Sequence, residues 1–240
     1  MSALRNVASL LFVLALPAAL VTTNIRFMAN EPRVYRYAVD DFGAVATTGI
    51  AREELLRAMR ELRAYFNAGG DEPVAIRVER QGREQPLFNP RETAHLKDVK
   101  ARFRMQNAVQ EFSVLYVLTY IAAVVIWSRE VSVRRLAVNT MAGSALTVVA
   151  IAGVGAFAVS GFDSAWTQFH EVLFSNDFWL LNPRTDHLIQ IFPPEFWQNI
   201  VFFVGLVTAA EAGLILLVSG LYLGATARRA AEPELAPSFS

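Results

Sequence analysis

Four stretches of the chain are apolar almost without interruption: Leu4–Thr22, Phe112–Trp127, Ala137–Phe157 and Ile200–Leu223. About 20 helical residues cross the ~30 Å hydrocarbon layer of a bilayer, so each stretch is read as a transmembrane helix, the second somewhat short. The first, with Arg5 near its start and small residues at Ala18 and Ala19, shares features with a secretory leader. Pro17 and the apolarity continuing through Val21 favour a spanning helix. Between the first two spans the pattern turns mixed. Val34–Val39 reads as a strand. Ala51–Asn67 places Leu55, Leu56, Met59, Leu62 and Phe66 on one helical face, with Gly69 as its stop. Val74–Arg80 alternates as a second strand, and Gln81-Gly82 turns it back into Gln85–Phe88.

Asn89-Pro90-Arg91-Glu92 is a helix start, with an amide at N-cap, proline at N1 and glutamate at N3. Nothing from Pro90 to Trp127 breaks a helix, so one element about 57 Å long is expected to run from water into the membrane. The expected fold is an all-α four-helix transmembrane bundle with a small α+β extracytoplasmic domain between helices 1 and 2. Helix 1 occupies residues 1–23, and the α+β domain occupies 24–111. Helices 2 and 3 follow at 112–127 and 137–159, an interfacial loop at 160–199, helix 4 at 200–224 and a tail at 225–240. The end of that tail, after Ala231, reads as disordered.

Short basic flanks orient the bundle. Arg5, then Arg129, Arg134 and Arg135, then Arg228 and Arg229 fall on one side if there are four spans. That side is cytoplasmic by the excess of Lys and Arg there. The reading is a bacterial cytoplasmic-membrane protein of the multi-pass kind, N-in and C-in. The two long connections then face outward together.

Composition sharpens this picture in two respects. The 240 residues are 54% hydrophobic with a mean hydropathy of +0.33, and the excess lies in the four runs. Formal net charge is zero, so no nucleic-acid partner is suggested. Cysteine is absent, which excludes a disulfide frame, a thiolate nucleophile and a cysteine-ligated metal.

The densest chemistry lies in Phe169–Phe196, FHEVLFSNDFWLLNPRTDHLIQIFPPEF. Its aromatics suit a belt at headgroup level. Its histidines, acids and amides are more than a connector needs. All three histidines, His95, His170 and His187, fall in the two outward segments. His95 and His170 are the candidates for a shared site. Glu92 and Asp98 flank His95 at i−3 and i+3, where a carboxylate can orient an imidazole. Three chemistries are open. Glu92, His95, His170 and Asp186 suit a metal-dependent hydrolase or protease. Ser160 and Ser175 lack the G-x-S-x-G setting of a hydrolase nucleophile. Acid–base catalysis by two histidines needs neither metal nor cofactor. A non-catalytic lipid- or protein-binding membrane module is the remaining alternative. Within helix 4, Glu211 is expected to turn inward toward Thr119, Tyr120 or Thr147, since a lipid-facing carboxylate is costly.

The segments LFNPRETAHLKDVK and FHEVLFSNDFWLLNPRTDHLIQIFPPEF, set among four spans, resemble the family of lipoprotein intramolecular transacylases, Lit. The resemblance implies an acyltransferase that moves the sn-2 acyl chain of a diacylglyceryl-lipoprotein to the α-amine of its N-terminal cysteine. The product is a lyso-lipoprotein. It implies His95 and His170 as the functional histidines, a lipoprotein substrate within membrane lipid, and a site facing the extracytoplasmic side. Beside it, Asp186 is expected to orient one histidine and His95 to act as base, supported by Glu92 or Asp98. Arg91, Lys97 and Arg184 are candidates for the substrate or the oxyanion, or else for lipid phosphates and caps.

Reporter fusions after Gln85 and after Asn182 are expected to read out as external. A cytoplasmic signal at either point would refute this topology.

Overall fold

The computed structural model describes residues 2–127 and 130–231. Arg129 in the helix 2–3 turn and the segment after Ala231 therefore lie outside the described residues. Four long helices dominate: α1 (Ser2–Asn30), α5 (Pro90–Trp127), α6 (Glu130–Ser160) and α9 (Pro194–Ala231). Each is long and apolar enough to cross a membrane. Leu115, Val149, Leu206 and Leu214, one or more from each of the last three, are each more than 60% exposed. Side chains of that kind need hydrocarbon around them. The charged residues of α5 precede Phe112, and its apolar run follows.

The chain divides into two compact units. The first takes the start of α1 through Val21, Val109–Ala152 and the chain from Leu206. Phe12, Leu16, Ala19 and Val117 form its core. A Cβ added to Gly143 would lie 3.0 Å from the Leu16 side chain and 3.2 Å from the Val13 carbonyl, so glycine permits close helix approach there. The Tyr120 hydroxyl stands between Ser9 (3.0 Å) and Asn139 (2.9 Å), and Thr147 donates to the Gly143 carbonyl at 2.9 Å. Two of the three hydroxyls expected for Glu211 thus have these partners.

The second unit is Thr22–Ala108 with Gly153–Gly205. It contains α2 (Pro32–Asp41), α3 (Ala44–Thr48), α4 (Arg52–Asn67), β1 (Arg77–Arg80), β2 (Arg83–Pro86), α7 (Phe162–Leu173) and α8 (His187–Ile191). Val34–Val39 is helix, not the expected strand. Pro32 sits at N1, the Glu31 carboxylate accepts from the Arg33 amide at 3.1 Å, and the buried residues are Tyr35, Ala38 and Val39. That spacing is helical, and the cap together with burial overrides the β preference of Val and Tyr.

The expected helix over Ala51–Asn67 is α4, which buries Leu55, Ala58, Met59 and Leu62. The hairpin also forms. β1 and β2 pair antiparallel with Arg80 opposite Arg83, and Gln81 and Gly82 take φ of 55° and 73°. Two successive positive φ values give the twist a two-residue hairpin needs, and a glycine takes one of them at no steric cost.

One core joins segments far apart in sequence. Leu55, Met59, Leu62, Val78, Leu87 and Leu96 pack in a single cluster with Leu188, Ile191, Phe192 and Phe196. The segment between α1 and α5 therefore shares its interior with the segment between α6 and α9. Replacing Leu62, 1% exposed, by alanine is expected to cost about 2–5 kcal/mol. Urea unfolding in detergent measures this, and a loss under 1 kcal/mol would contradict the single core.

Candidate functional site

α5 starts where sequence predicts. The Asn89 side-chain oxygen accepts from the amides of Arg91 (2.9 Å) and Glu92 (3.0 Å), and Glu92 accepts from the Asn89 amide at 2.7 Å. This is a closed capping box. Glu92 then does a second task. It is 1% exposed, and its other oxygen accepts from the Leu188 amide, at the start of α8, at 2.6 Å. Its carboxyl pKa is raised by burial, against the two amide bonds that favour the anion. Asp186 closes the same junction from the other side. It accepts from the Asn89 amide side chain (3.0 Å), the Thr185 hydroxyl (2.9 Å) and the Asn182 backbone (2.7 Å). His187 adds a bond of 2.6 Å from Nδ1 to the Leu87 carbonyl, so that nitrogen carries the proton.

Glu92 and Asp186 thus clasp the α1–α5 and α6–α9 connections, and among the described residues their hydrogen bonds go to amides and a hydroxyl, not to an imidazole. Asp98, the other expected orienter, accepts from the Asn176 side chain at 2.9 Å. Its charge still favours the His95 imidazolium. Arg91 donates to the Asp177 carbonyl and lies 3.7 Å from the Asp177 carboxylate, tying down the loop after α7. Lys97 and Arg184 are exposed. Among the described residues, neither side chain has a hydrogen bond or an ion pair.

His95 stands one turn beyond Glu92 on α5, and His170 closes the last turn of α7. Their rings come together, with centroids 6.0 Å apart, and each residue is 7% exposed. Phe174 touches both, at 5.1 Å from His95 and 5.6 Å from His170. Trp166 (4.6 Å) and Trp179 (5.0 Å) complete an aromatic wall around His170. The Trp179 ring nitrogen donates to the Asn176 carbonyl at 2.9 Å, which fixes the wall.

The two imidazoles differ in their bonds. His170 Nδ1 lies 2.8 Å from the Trp166 carbonyl, which can only accept, so Nδ1 holds the proton and Nε2 keeps a lone pair. His95 Nδ1 is buried and has no hydrogen-bond partner among the described residues. Burial, then the adjacent His170, depress the His95 pKa to about 4. Burial lowers that of His170 too, opposed by its bond to Trp166. Both rings are neutral at pH 7.

Sequence reasoning missed Phe174 and Trp179 as parts of the site, because the belt reading absorbed them, and it singled out neither Trp166 nor Asn176. Arg102 was missed as well. It lies seven residues after His95, on the same helical face, with its guanidinium carbon 5.8 Å from the Phe174 ring centroid. The spacing alone was the available signal.

Residues 10–197 match the family described as lipoprotein intramolecular transacylase Lit. An uncharacterized protein of Aquifex aeolicus (strain VF5) is 25% identical over 220 residues, covering 91% of this chain and 95% of that one. The membrane integral lipoprotein intramolecular transacylase Lit of Bacillus cereus, solved in meso, superposes with a TM-score of 0.77 at 16% identity. The match covers 95% of this chain and all of that one. A structure of a histidine variant of that protein gives a TM-score of 0.72 at 16% identity, with 95% and 96% covered. At such identity the likeness establishes the fold.

His95 has a folded-state pKa below its ordinary value near 6.5, so it contributes stability that is full above pH 6.5 and lost as pH falls toward and through 4. Between pH 7.5 and pH 4 the loss through His95 is expected to be about 3 kcal/mol. His95→Asn should flatten that part of the profile. Equal pH dependence in both proteins, followed by urea unfolding in detergent, would overturn it.

Proposed function

The chain belongs to the Lit family of lipoprotein intramolecular transacylases, transferases of the membrane, and from that premise we propose that it moves the sn-2 acyl chain of a diacylglyceryl-lipoprotein to the α-amine of the lipoprotein's N-terminal cysteine. The observation that carries this reading is the buried His95–His170 pair, 6.0 Å between ring centroids, on the two segments that also carry the resemblance. The site faces the extracytoplasmic side, with both termini cytoplasmic.

The reaction forms an N–C bond to the acyl carbon and breaks the ester C–O bond. One proton leaves the amine and one arrives on the glycerol oxygen, so nothing is oxidised or reduced. The α-ammonium has an ordinary pKa of about 7.7–8.0, which makes its deprotonation an easy task. His170 is the better base. Its Nδ1–H is held by the Trp166 carbonyl, which presents the Nε2 lone pair and supports the imidazolium that forms. His95, with a pKa near 4, is a poor base but a strong proton donor once protonated, suited to the departing alkoxide. This reverses the role the sequence suggests for His95. That role leaned on Glu92 and Asp98, whose hydrogen bonds go to Asn89, Leu188 and Asn176 instead.

Proton passage between the two rings resets the pair through the tetrahedral intermediate. Arg102, above Phe174, supplies positive potential for the oxyanion. Amine and ester sit on one substrate molecule, so holding them in a near-attack pose removes much of the barrier without a covalent enzyme intermediate. The aromatic wall keeps water from competing for the acyl group.

His95→Ala and His170→Ala are each expected to leave the protein folded and inserted but to reduce lyso-lipoprotein formation by at least about 100-fold, the usual worth of a positioned acid or base. Expression in a host that makes diacyl-lipoproteins, followed by mass analysis of lipoprotein N-termini, measures this. Parental levels in the double variant would refute the mechanism.

A further inference from the structure

Helices α2 and α4 of the second unit face each other with matched rows of residues. Pro32, Tyr35 and Arg36 lie on one face of α2, and Leu56, Met59, Arg60 and Arg63 recur at i, i+3, i+4 and i+7 on α4. Together they line an open cleft of about 320 Å³. The floor is apolar. Met59 is 1% exposed, and the Tyr35 ring is buried with its hydroxyl donating to the Ala29 carbonyl at 2.7 Å. The rim is cationic, from Arg36, Arg60 and Arg63.

Ion pairing sets these three arginines apart from their neighbours. On the same two helices Arg33 pairs with Glu31 (2.8 Å), Arg52 with Asp40 (2.7 Å) and Arg57 with Glu54 (2.7 Å). Among the described residues, no carboxylate lies within ion-pairing distance of Arg36, Arg60 or Arg63. Arg63 donates to the Asn30 carbonyl at 3.1 Å. Glu31 and Asp40 feel the charge of Arg36, but their hydrogen bonds go to Arg33 and Arg52. Three cations around one cleft repel each other until an anion enters, and guanidinium forks match phosphate oxygens.

Position selects the anion. The cleft begins two residues beyond α1, a candidate span that ends at Asn30. Phe27, in the last turn of α1, is 59% exposed, as suits an aromatic at the membrane–water boundary. The volume suits a headgroup with its glycerol and not a whole lipid. We infer that the α2–α4 cleft binds the headgroup phosphate of an anionic phospholipid, with Pro32, Leu56 and Met59 against the glycerol and upper methylenes. An acidic peptide would satisfy the arginines but leave that floor unused. The inference stands apart from the acyl-transfer reading.

The full chain, purified in a neutral detergent, is titrated with short-chain phosphatidylglycerol, phosphatidylcholine of the same chain length and inorganic phosphate, at constant ionic strength. The thermal unfolding midpoint is followed. Phosphatidylglycerol should raise it saturably and more than the other two. The double variant Arg36→Gln, Arg60→Gln should weaken the apparent affinity by at least about tenfold, since two charge-assisted contacts are lost. Arg60→Gln alone, at an exposed side chain, carries the same comparison if the double variant fails to fold. Equal stabilisation by phosphatidylcholine or by free phosphate would overturn the assignment. So would an undiminished response in the variants, or tighter binding of an Asp- and Glu-rich peptide.

Discussion

Glu92 is a carboxylate at 1% exposure that accepts from two backbone amides nearly one hundred residues apart in sequence, those of Asn89 and Leu188. A buried anion is costly unless its lone pairs are used, and here they are. The bond to Asn89 starts α5, and the bond to Leu188 starts α8. One side chain therefore sets where the helix bearing His95 begins and where the segment between α6 and α9 lands on it. Asn89 to Asp186 and His187 to Leu87 reinforce the same junction. His95 follows one turn later, so its position relative to α7 depends on this clasp.

The clasp also explains the electrostatics of the histidine pair. Because Glu92 and Asp186 are occupied elsewhere, no hydrogen-bonded carboxylate supports either imidazole among the described residues. Burial then dominates at both rings, with His170 adding to the shift at His95, and both are pushed toward the neutral form. Under the proposed mechanism, two neutral imidazoles differing in basicity would serve as proton acceptor and donor for a reaction that only relocates protons. A carboxylate bonded to either ring would have raised its pKa and filled the site with a resident charge.

The aromatics divide between two tasks. Phe174, Phe192 and Phe196 are buried, the first between the histidines and the others in the shared core. Phe169 (47%) and Phe178 (39%) stay exposed, consistent with the belt at headgroup level. Trp166 joins both groups, stacked on Phe169 and on Trp197 at 5.3 Å while it lies against His170.

Features written in local periodicity were legible without any structure. The four apolar runs, the α4 face, the Gln81-Gly82 hairpin and the Asn89–Glu92 cap each depend on neighbours within a few residues, which is the range over which helical and strand spacing act. The pairing of His95 with His170 was suggested by their placement in the two connecting segments and by resemblance, and the 6.0 Å approach of the two rings required the fold. Four other outcomes belonged to tertiary structure: Val34–Val39 as helix, the common core of the two long connections, the commitment of Glu92 and Asp186 to amides, and the α2–α4 cleft arginines, which have no carboxylate partner among the described residues. For Glu92 and Asp186 the outcome turns on which distant group claims a side chain first. Glu92 has the spacing to serve His95, yet the Leu188 amide, buried and otherwise unsatisfied, has the stronger claim.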